Sequence, residues 1–281
     1  MSQNVEKIER RKENITAVEP LLSAMRTISL AQWRSSLNKG EKLNSFIHEL
    51  EQVQEIVLKQ TGEKITDSTE RKNVLLIVGG NRGFCGNFHK NIKDHFLNDE
   101  TLANTFEIFL LGKELERIFR QYQIPFHQAL LSPKIKQIYS FVQTNLFRET
   151  GQPLVSSISV LYDHYLGAGR YQTTLTSLDS QKRALPNENS ENFSEYIIDT
   201  DPKQFLAAIY SLLIELKLQS CLLSSLASEN SKRFSIMETA DKNVENLISE
   251  LEIILQEQRK GKITTESQEI AVSSGLLTSN Q

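Results

Sequence analysis

The longest stretch without a helix-breaking residue constrains this chain most. Residues 203–260 contain neither glycine nor proline, and these 58 residues would form a helix of roughly 87 Å at 1.5 Å per residue. Asp201-Pro202 predicts its start, because the residue before a proline is pushed out of the helical conformation. Apolar residues recur at steps of three, four and seven, with a longer step around Asn230, which predicts a coiled-coil stripe that loosens there. The stripe comprises Phe205, Ile209, Leu212, Leu216, Leu223, Leu226, Phe234, Met237, Val244, Ile248, Leu251 and Leu255.

The N-terminal flank has the same kind of spacing, which predicts helix to about Lys59. Pro20 lacks an amide donor, so we expect this helix to kink or restart near Val18, and Gly40 should weaken it again. Neither striped helix would be stable alone in water. We therefore expect the two flanks to pack as a long antiparallel coiled coil.

The middle of the chain has the composition of a compact domain. Residues 63–202 hold eight of the 12 glycines, five of the 6 prolines and 16 of the 21 aromatic residues. This contrast predicts three segments, a helical flank at 1–62, a globular domain at 63–202 and a helical flank at 203–281. Within the domain we expect strands at 73–79 and 105–112, helices at 87–97, 113–123 and 133–149, a strand pair at 156–166 and 171–178, and an exposed loop at 179–195. The alternation predicts a small, Rossmann-like α/β domain with a largely parallel sheet.

Composition excludes several classes of protein. The N-terminus is charged where a signal peptide needs an apolar core, and no run approaches eighteen consecutive apolar residues. A net charge of −3 gives no bulk attraction to nucleic acid. Cys85 and Cys221 form no CxxC pair, so we expect reduced thiols and neither a disulfide framework nor a zinc ribbon.

A glycine-rich loop at residues 79–87 is the strongest candidate for a ligand site. A strand-to-helix loop of this kind can bind phosphate, but Gly86 is not followed by the lysine of a Walker A loop, and the glycine offsets do not fit the dinucleotide fingerprint. We therefore expect no nucleotide there, and no small-molecule enzyme built on it. Cys85 close to Arg82 could be a thiol of lowered pKa, although a structural thiol is favoured.

No catalytic or metal site is predicted. The sequence contains no HExxH motif, no GxSxG motif and no His/Cys cluster. We therefore expect neither a cofactor nor a metal at the histidines, which are His48, His89, His95, His127 and His164.

Several segments, taken together, resemble one known family. Residues 225–243 (SLASENSKRFSIMETADKN) are similar to the SLASEH-x-x-RM-x-AM-x-x-A-x-x-N signature of the gamma subunit of F-type ATP synthase. Residues 259–270 (RKGKITTESQEI) resemble that family's RQA-x-IT-x-EL-x-EI, and residues 22–34 stand where it has ITKAM-x-MVA and AK-x-R. The loop at 79–92 (GGNRGFCGNFHKNI) resembles SDRGLCGGFN-x-N. The matches follow the family's order along most of the chain.

The resemblance implies a non-catalytic rotor stalk that couples ATP synthesis or hydrolysis to the transport of H⁺ or Na⁺. Its helices would turn inside a ring of three alpha and three beta subunits, with the epsilon subunit and the membrane c-ring as further partners. It would be peripheral, at the cytoplasmic face of the cell membrane. Neither nucleic acid nor nucleotide would bind to the chain itself. The matched partner-binding positions are Met25, Arg34, Arg259, Lys260, Thr264 and Glu266.

The sequence also departs from the family pattern. Lys260 replaces a glutamine, Gly261 replaces an alanine within the expected helix, Pro20 interrupts the first helix, and residues 79–81 replace a Ser-Asp pair. These departures are consistent with the divergent alternate ATPases that some bacteria carry beside their standard enzyme. A non-catalytic helical-hairpin adaptor or scaffold is the alternative, since it would have the same flanks.

Overall fold

The N-terminal flank forms two helices in the computed structural model, which describes residues 2–61, 73–131, 157–178 and 201–273 together with positions 137, 140, 141, 144 and 155. Helix α1 spans Ser2–Thr16 and helix α2 spans Glu19–Thr61. The break confirms the restart expected near Pro20, which lies in the first turn of α2, where a missing amide hydrogen costs little. Gly40 does not interrupt α2.

The middle of the chain forms a five-stranded sheet flanked by short helices. The strands are β1 (Asn73–Val78), β2 (Phe106–Leu111), β3 (Gln128–Leu130), β4 (Ser157–Gly167) and β5 (Arg170–Ser177). The helices are α3 (Phe88–Asn98), α4 (Glu100–Thr105) and α5 (Lys113–Gln121). These elements confirm most of the predicted alternation, while the predicted helix at 133–149, apart from isolated positions, and the loop at 179–195 lie outside the described residues.

The sheet has the strand order β3-β2-β1-β4-β5. β1 pairs in parallel with β2 and β4, and β2 pairs in parallel with β3. β4 and β5 form an antiparallel hairpin, so the sheet is largely parallel, as predicted, with one antiparallel edge strand. The sequence did not predict β3 or α4, since a three-residue strand and a six-residue helix carry too little periodic pattern to detect.

Both faces of the sheet are covered. On one face Leu75 and Ile77 pack with residues of α3 and α5, including Phe88 and Phe119. On the other face Val74, Leu76 and Val78 pack with Tyr210, Ile214 and Leu218. Burial on both faces explains why β1 is a continuous apolar run without alternation.

The C-terminal flank is one helix, α6, spanning Pro202–Ser273. Its first residue confirms the start predicted at Asp201-Pro202, and it continues through Gly261. By length and composition α6 could span a membrane, since its most apolar 18-residue window has a mean hydropathy of 1.5, with 44% of that window buried in the protein. Packing against both the sheet and α2 accounts for this apolar composition.

The chain divides into two compact units. Unit 2 consists of Ser29–Arg233 and contains the whole sheet. In this unit Ile47 of α2 packs against Ile209 and Leu213 of α6. Polar contacts between the same helices join Asn44 to Ser220 at 2.6 Å and Glu51 to Lys217 at 2.6 Å. Residue numbers rise along one helix as they fall along the other, so the two helices are antiparallel here.

Unit 1 consists of Met1–Ile28 and Phe234–Gln281, and its described residues form two helical segments that pack on each other. Its buried apolar residues include Met237, Leu251 and Leu255 of α6. Among the described residues, ion pairs join the two helical segments: Glu9 to Arg259 at 2.6 Å, Lys12 to Glu252 at 2.7 Å and Arg26 to Asp241 at 2.7 Å. The order of the paired residues along the chain shows that the two helical segments are antiparallel in this unit too. This confirms the predicted pairing of the two flanks.

The predicted apolar stripe on α6 is partly wrong. Leu212 and Leu226 are exposed, whereas Leu213 and Leu218 are buried. The reason is that α6 packs against two partners in unit 2, the sheet and α2, so its buried arc is wider than a coiled-coil seam. Asn230 does not loosen the packing, because its side chain is 2% exposed and hydrogen-bonded.

Substitution of neighbouring leucines tests this assignment. We expect Leu213→Ala to lower the free energy of unfolding by about 2–5 kcal/mol, because Leu213 is 0% exposed and the change leaves a cavity. Leu212→Ala is the matched control, with an expected loss below about 1 kcal/mol, because this side chain is 38% exposed. Guanidinium unfolding of both variants measures the difference. Equal losses would contradict the assigned orientation of α6.

Candidate functional site

The glycine-rich loop at residues 79–87 joins β1 to α3 at the carboxyl edge of the parallel strands. It lies directly on the turn that follows β2, where Gly112 has φ +123. A Cβ added to Gly112 would lie 2.5 Å from the carbonyl oxygen of Gly79, so no other residue fits. The Gly79 amide donates to Leu111 O at 2.7 Å, and the Glu114 amide donates to Gly80 O at 3.1 Å. The two turns thus hold each other through their backbones.

Arg233 of α6 holds the outer part of the glycine-rich loop. It is 4% exposed, and its guanidinium donates to the carbonyl oxygens of Gly83 and Arg82, both at 3.1 Å. It also donates to Asn230 Oδ1 at 2.9 Å and forms an ion pair with Glu229. Its charge is therefore compensated although it is almost completely removed from water.

Glu229 lies against the inner part of the loop. A Cβ added to Gly80 would collide with the Glu229 carboxyl group, so a larger residue at this position would have to displace that carboxylate. A phosphate bound at Gly80 would meet this carboxylate. The arrangement therefore disfavours the binding of a nucleotide phosphate at the loop, on steric and on electrostatic grounds.

Cys85 of the loop and His89 of α3 form a buried polar cluster with Glu229. Cys85 Sγ lies 3.5 Å from His89 Nε2, and the Gly80 amide donates to His89 Nδ1 at 3.5 Å. Burial, reinforced by the Glu229 carboxylate, raises the pKa of Cys85 to about 11. Burial likewise lowers the pKa of His89 below its ordinary value. The thiol is therefore protonated at neutral pH, which favours the structural interpretation of Cys85 over the reactive one.

The cluster brings together three side chains of metal-ligand types that no sequence motif indicated. One ligand atom from each of Cys85, His89 and Glu229 lies within 4.8 Å of the others. The spacing of four between Cys85 and His89 was the only local signal. Glu229 is distant in sequence and reaches the cluster only because α6 packs against the loop. Sequence spacing therefore could not predict its membership of the cluster.

The same part of α6 also binds the sheet at β4. The Tyr165 amide donates to Ser224 Oγ at 3.1 Å, and Ser228 Oγ donates to the carbonyl oxygen of Asp163 at 2.9 Å. We call residues 224–233 the docking segment. It joins α6 by directional polar contacts both to β4 and to the loop that follows β1.

Asp163 is a buried acid next to the docking segment. Its Oδ1 accepts from Thr173 Oγ1 at 2.6 Å, while Oδ2 has no hydrogen-bond partner among the described residues. Burial raises the pKa of Asp163 from 3.8 to about 7, so its carboxyl group keeps a proton far above the usual range.

The predicted partner-binding residues fall in two places. Arg34 is exposed on α2 in unit 2, and Met25 is half-buried on α2 in unit 1. The other four lie together on an exposed part of α6 in unit 1: Arg259, Lys260, Thr264 and Glu266.

Several of these four residues have partners within the chain. Arg259 is 63% exposed and donates to Glu9 at 2.6 Å. Thr264 Oγ1 donates to Lys260 O at 2.9 Å, and Glu266 lies 3.6 Å from Lys262. The sequence-based analysis missed Glu9 because the partner of Arg259 depends on the antiparallel pairing.

The geometry defines a class of protein. One unit is a pair of antiparallel helical segments, and the other is a small α/β domain whose largely parallel sheet packs on a long helix. The model of the family described as ATP synthase matches residues 4–275, and the chain belongs to this family.

Relatives of known name match over almost their whole length. The chain is 23% identical over 288 residues to the ATP synthase gamma chain of Rickettsia canadensis (strain McKiel), covering 96% of this chain and 98% of the relative. It is also 23% identical over 278 residues to the ATP synthase gamma chain of Clostridium novyi (strain NT), covering 94% of each. The gamma-subunit resemblance deduced from the sequence is thereby confirmed.

Solved structures share the fold. A chain of the OSCP/F1/c-ring part of the Euglena gracilis mitochondrial ATP synthase matches with a TM-score of 0.62 at 14% identity, covering 100% of this chain and 98% of that one. A chain of the rotor of the same synthase matches with a TM-score of 0.58 at 12% identity, covering 94% and 100%. These matches confirm the fold class of long terminal helices with a central, parallel-rich sheet.

Substitution of Gly112 tests the contact between the two turns. We expect Gly112→Ala to lower the free energy of unfolding by roughly 1–3 kcal/mol, because the new methyl group meets the Gly79 carbonyl at a positive φ. Gly83→Ala is the control, since nothing lies within 4 Å of an added Cβ there. Denaturant unfolding of both variants gives the comparison. A Gly112 variant as stable as the Gly83 variant would refute the close approach.

The buried carboxyl group of Asp163 predicts a pH dependence. The folded state keeps the Asp163 proton to about pH 7, whereas the unfolded state loses it near pH 4, so this group lowers stability as pH rises between those values. The full effect is on the order of 4 kcal/mol. We expect Asp163→Asn to flatten the decline in unfolding free energy between pH 4.5 and 7.5. The exposed Asp201→Asn should keep the wild-type slope, and an unchanged slope in both variants would show that Asp163 is ionised when folded.

Proposed function

We propose that this chain is the central rotor stalk, or gamma subunit, of the F1 sector of an F-type ATP synthase or ATPase. In this role it couples ATP synthesis or hydrolysis at the alpha/beta catalytic sites to the transport of H⁺ or Na⁺, and it performs no chemistry itself. The observation that carries the proposal is the antiparallel helical pair of unit 1 in a chain of this family.

The names of the matched proteins supply the proposed partners. The relatives are called ATP synthase gamma chains, and the matched structures are titled as parts of a rotor and of an F1/c-ring assembly. By analogy we propose the alpha3/beta3 hexamer, the epsilon subunit and the membrane c-ring as partners, at the cytoplasmic face of the membrane. We also retain the division into a flank at 1–62, a domain at 63–202 and a flank at 203–281 as the functional one.

The mechanism we infer is mechanical. A rod whose surface differs from side to side presents a different face to each beta subunit as it turns, and nucleotide affinity changes because the contacts differ. The partly exposed ion pair between Arg26 and Asp241 and the apolar contacts of unit 1 resist separation of its two helical segments. The break between α1 and α2 is the point where we expect the rod to be softest.

The proposed ring-contact residues are Met25, Arg34, Arg259, Lys260, Thr264 and Glu266. Exposure supports this role for the last four, because side chains on the solvent side of α6 are available to a surrounding ring. The pair between Arg259 and Glu9 is itself largely exposed, so it should contribute below about 1 kcal/mol to stability. Charge reversal can therefore test the contact without unfolding the chain.

We expect the double variant Arg259→Glu, Lys260→Glu to pump fewer ions per ATP hydrolysed. Loss of a charged contact of about 0.5–1.4 kcal/mol corresponds to a decrease of roughly twofold to tenfold. ATP-driven ion uptake into inverted vesicles, divided by the ATPase rate of the same vesicles, measures the coupling. Wild-type coupling in this variant would count against these two contacts.

A charge swap separates a ring contact from the internal pair. The variant Glu9→Arg, Arg259→Glu restores an ion pair between the strands but leaves a negative charge at position 259. We expect it to couple as poorly as Arg259→Glu alone. Recovery of coupling would show that Arg259 acts through Glu9 and not through the ring.

Purification of the tagged chain on a native gel stained for ATPase activity tests the role as a whole. Recovery with two larger subunits in an active complex supports the stalk. Recovery of the chain alone, or with unrelated proteins, would favour a helical-hairpin adaptor.

A further inference from the structure

We propose that Cys85, His89 and Glu229 bind a divalent transition-metal ion of the zinc type, which ties the glycine-rich loop to α6. The inference rests on the cluster in unit 2 and does not depend on the proposed role in an ATP synthase. Its function would be structural, because the ion would link the loop after β1, the start of α3 and the docking segment.

The separations of the ligand atoms are close to those of a zinc site. All three lie within 4.8 Å of one another, and Cys85 Sγ is 3.5 Å from His89 Nε2. Zinc bonds of about 2.3 Å to sulfur and about 2.0 Å to nitrogen and oxygen place the ligand atoms of a tetrahedral site with one sulfur roughly 3.3–3.5 Å apart. A contraction of about one ångström would therefore close the site around an ion.

The backbone around the ligands is already held in place. Cys85 lies in the loop three residues before α3, and His89 is the second residue of α3, with Cys85 Sγ 3.5 Å from His89 Nε2. Arg233 binds the Arg82 and Gly83 carbonyls immediately before Cys85. Glu229 comes from α6, four residues before Arg233. The three ligands thus need little reorganisation to meet an ion.

The second ligand shell is also present. A metal-binding carboxylate is commonly oriented by a further hydrogen bond, and Arg233 supplies one to Oε1 of Glu229. A carboxylate has about four lone-pair sites, so the arginine and an ion can share it. Metal coordination by His89 Nε2 would move the ring proton to Nδ1, so the Gly80 amide, which donates to Nδ1 at 3.5 Å, would have to turn to another acceptor.

The ligand types favour a divalent transition-metal ion. Binding would release one proton from Cys85 Sγ, and the ion, the thiolate, the Glu229 carboxylate and its ion-pair partner Arg233 would together carry one positive charge. The neutral imidazole of His89 is the form that would bind the metal. Thiolate and imidazole ligands select zinc or cobalt over magnesium and calcium, and three protein ligands leave a fourth position for water.

Titration of the metal-free full chain with Co²⁺ tests the proposal. We expect one ion per chain, a thiolate-to-cobalt charge-transfer band, and release of one proton per ion in weak buffer at pH 7. Zn²⁺ should displace the cobalt, whereas Mg²⁺ should not. Cys85→Ser should abolish the band, and Cys221→Ser is the matched control that should keep it, because Cys221 is the other buried cysteine and lies outside the cluster.

A second variant keeps the test independent of folding. We expect His89→Asn to weaken Co²⁺ binding at least roughly tenfold while the metal-free variant melts within a few degrees of wild type. Absence of stoichiometric binding by the wild-type chain would overturn the proposal. So would a band that persists in Cys85→Ser, a band lost in Cys221→Ser, or wild-type affinity in a folded His89→Asn chain.

Discussion

The buried guanidinium of Arg233 is the interaction on which the rest of unit 2 depends. A charge removed from water is tolerated only when its donors are satisfied, and Arg233 uses the Glu229 carboxylate, an asparagine and two loop carbonyls for this purpose. Satisfying Arg233 therefore fixes the path of the glycine-rich loop. The glycine at position 80, the pairing of Cys85 with His89 and the attachment of α6 to the sheet all follow from that path.

The contacts between the sheet and α6 determine how force passes from one to the other. Apolar side chains such as Ile214 and Leu218 bury surface but permit small slides along the interface. The hydrogen bonds of Ser224 and Ser228 to β4, and of Arg233 to the loop after β1, act in fixed directions at two separate strands. Together they resist both rotation and translation of α6 against the sheet, as the proposed rotor role requires.

How far the sequence predicts the structure depends on the range of the signal. The start of α6 at Pro202, the break before Pro20 and the strand at β1 follow from local backbone constraints, and they were predicted. The exposure of Leu212 depends on two partners that arrive from elsewhere, and a single stripe cannot represent both. The cluster of Cys85, His89 and Glu229 was missed for the same reason, because its third member comes from a distant helix.

The segment of α6 that carries the gamma-subunit signature is also the segment with the least regular apolar pattern. Residues 225–233 interrupt the apolar repeat of α6 with serines, an acid and an arginine, so periodicity alone predicts a weak seam. In the folded chain Ser225, Ser228, Glu229, Ser231 and Arg233 are all buried. Since buried polar groups must be partnered, each restricts its neighbours far more than a leucine does. A segment that fixes the orientation between helix and sheet therefore depends on the identity of each polar residue, whereas an apolar core accepts swaps of similar volume.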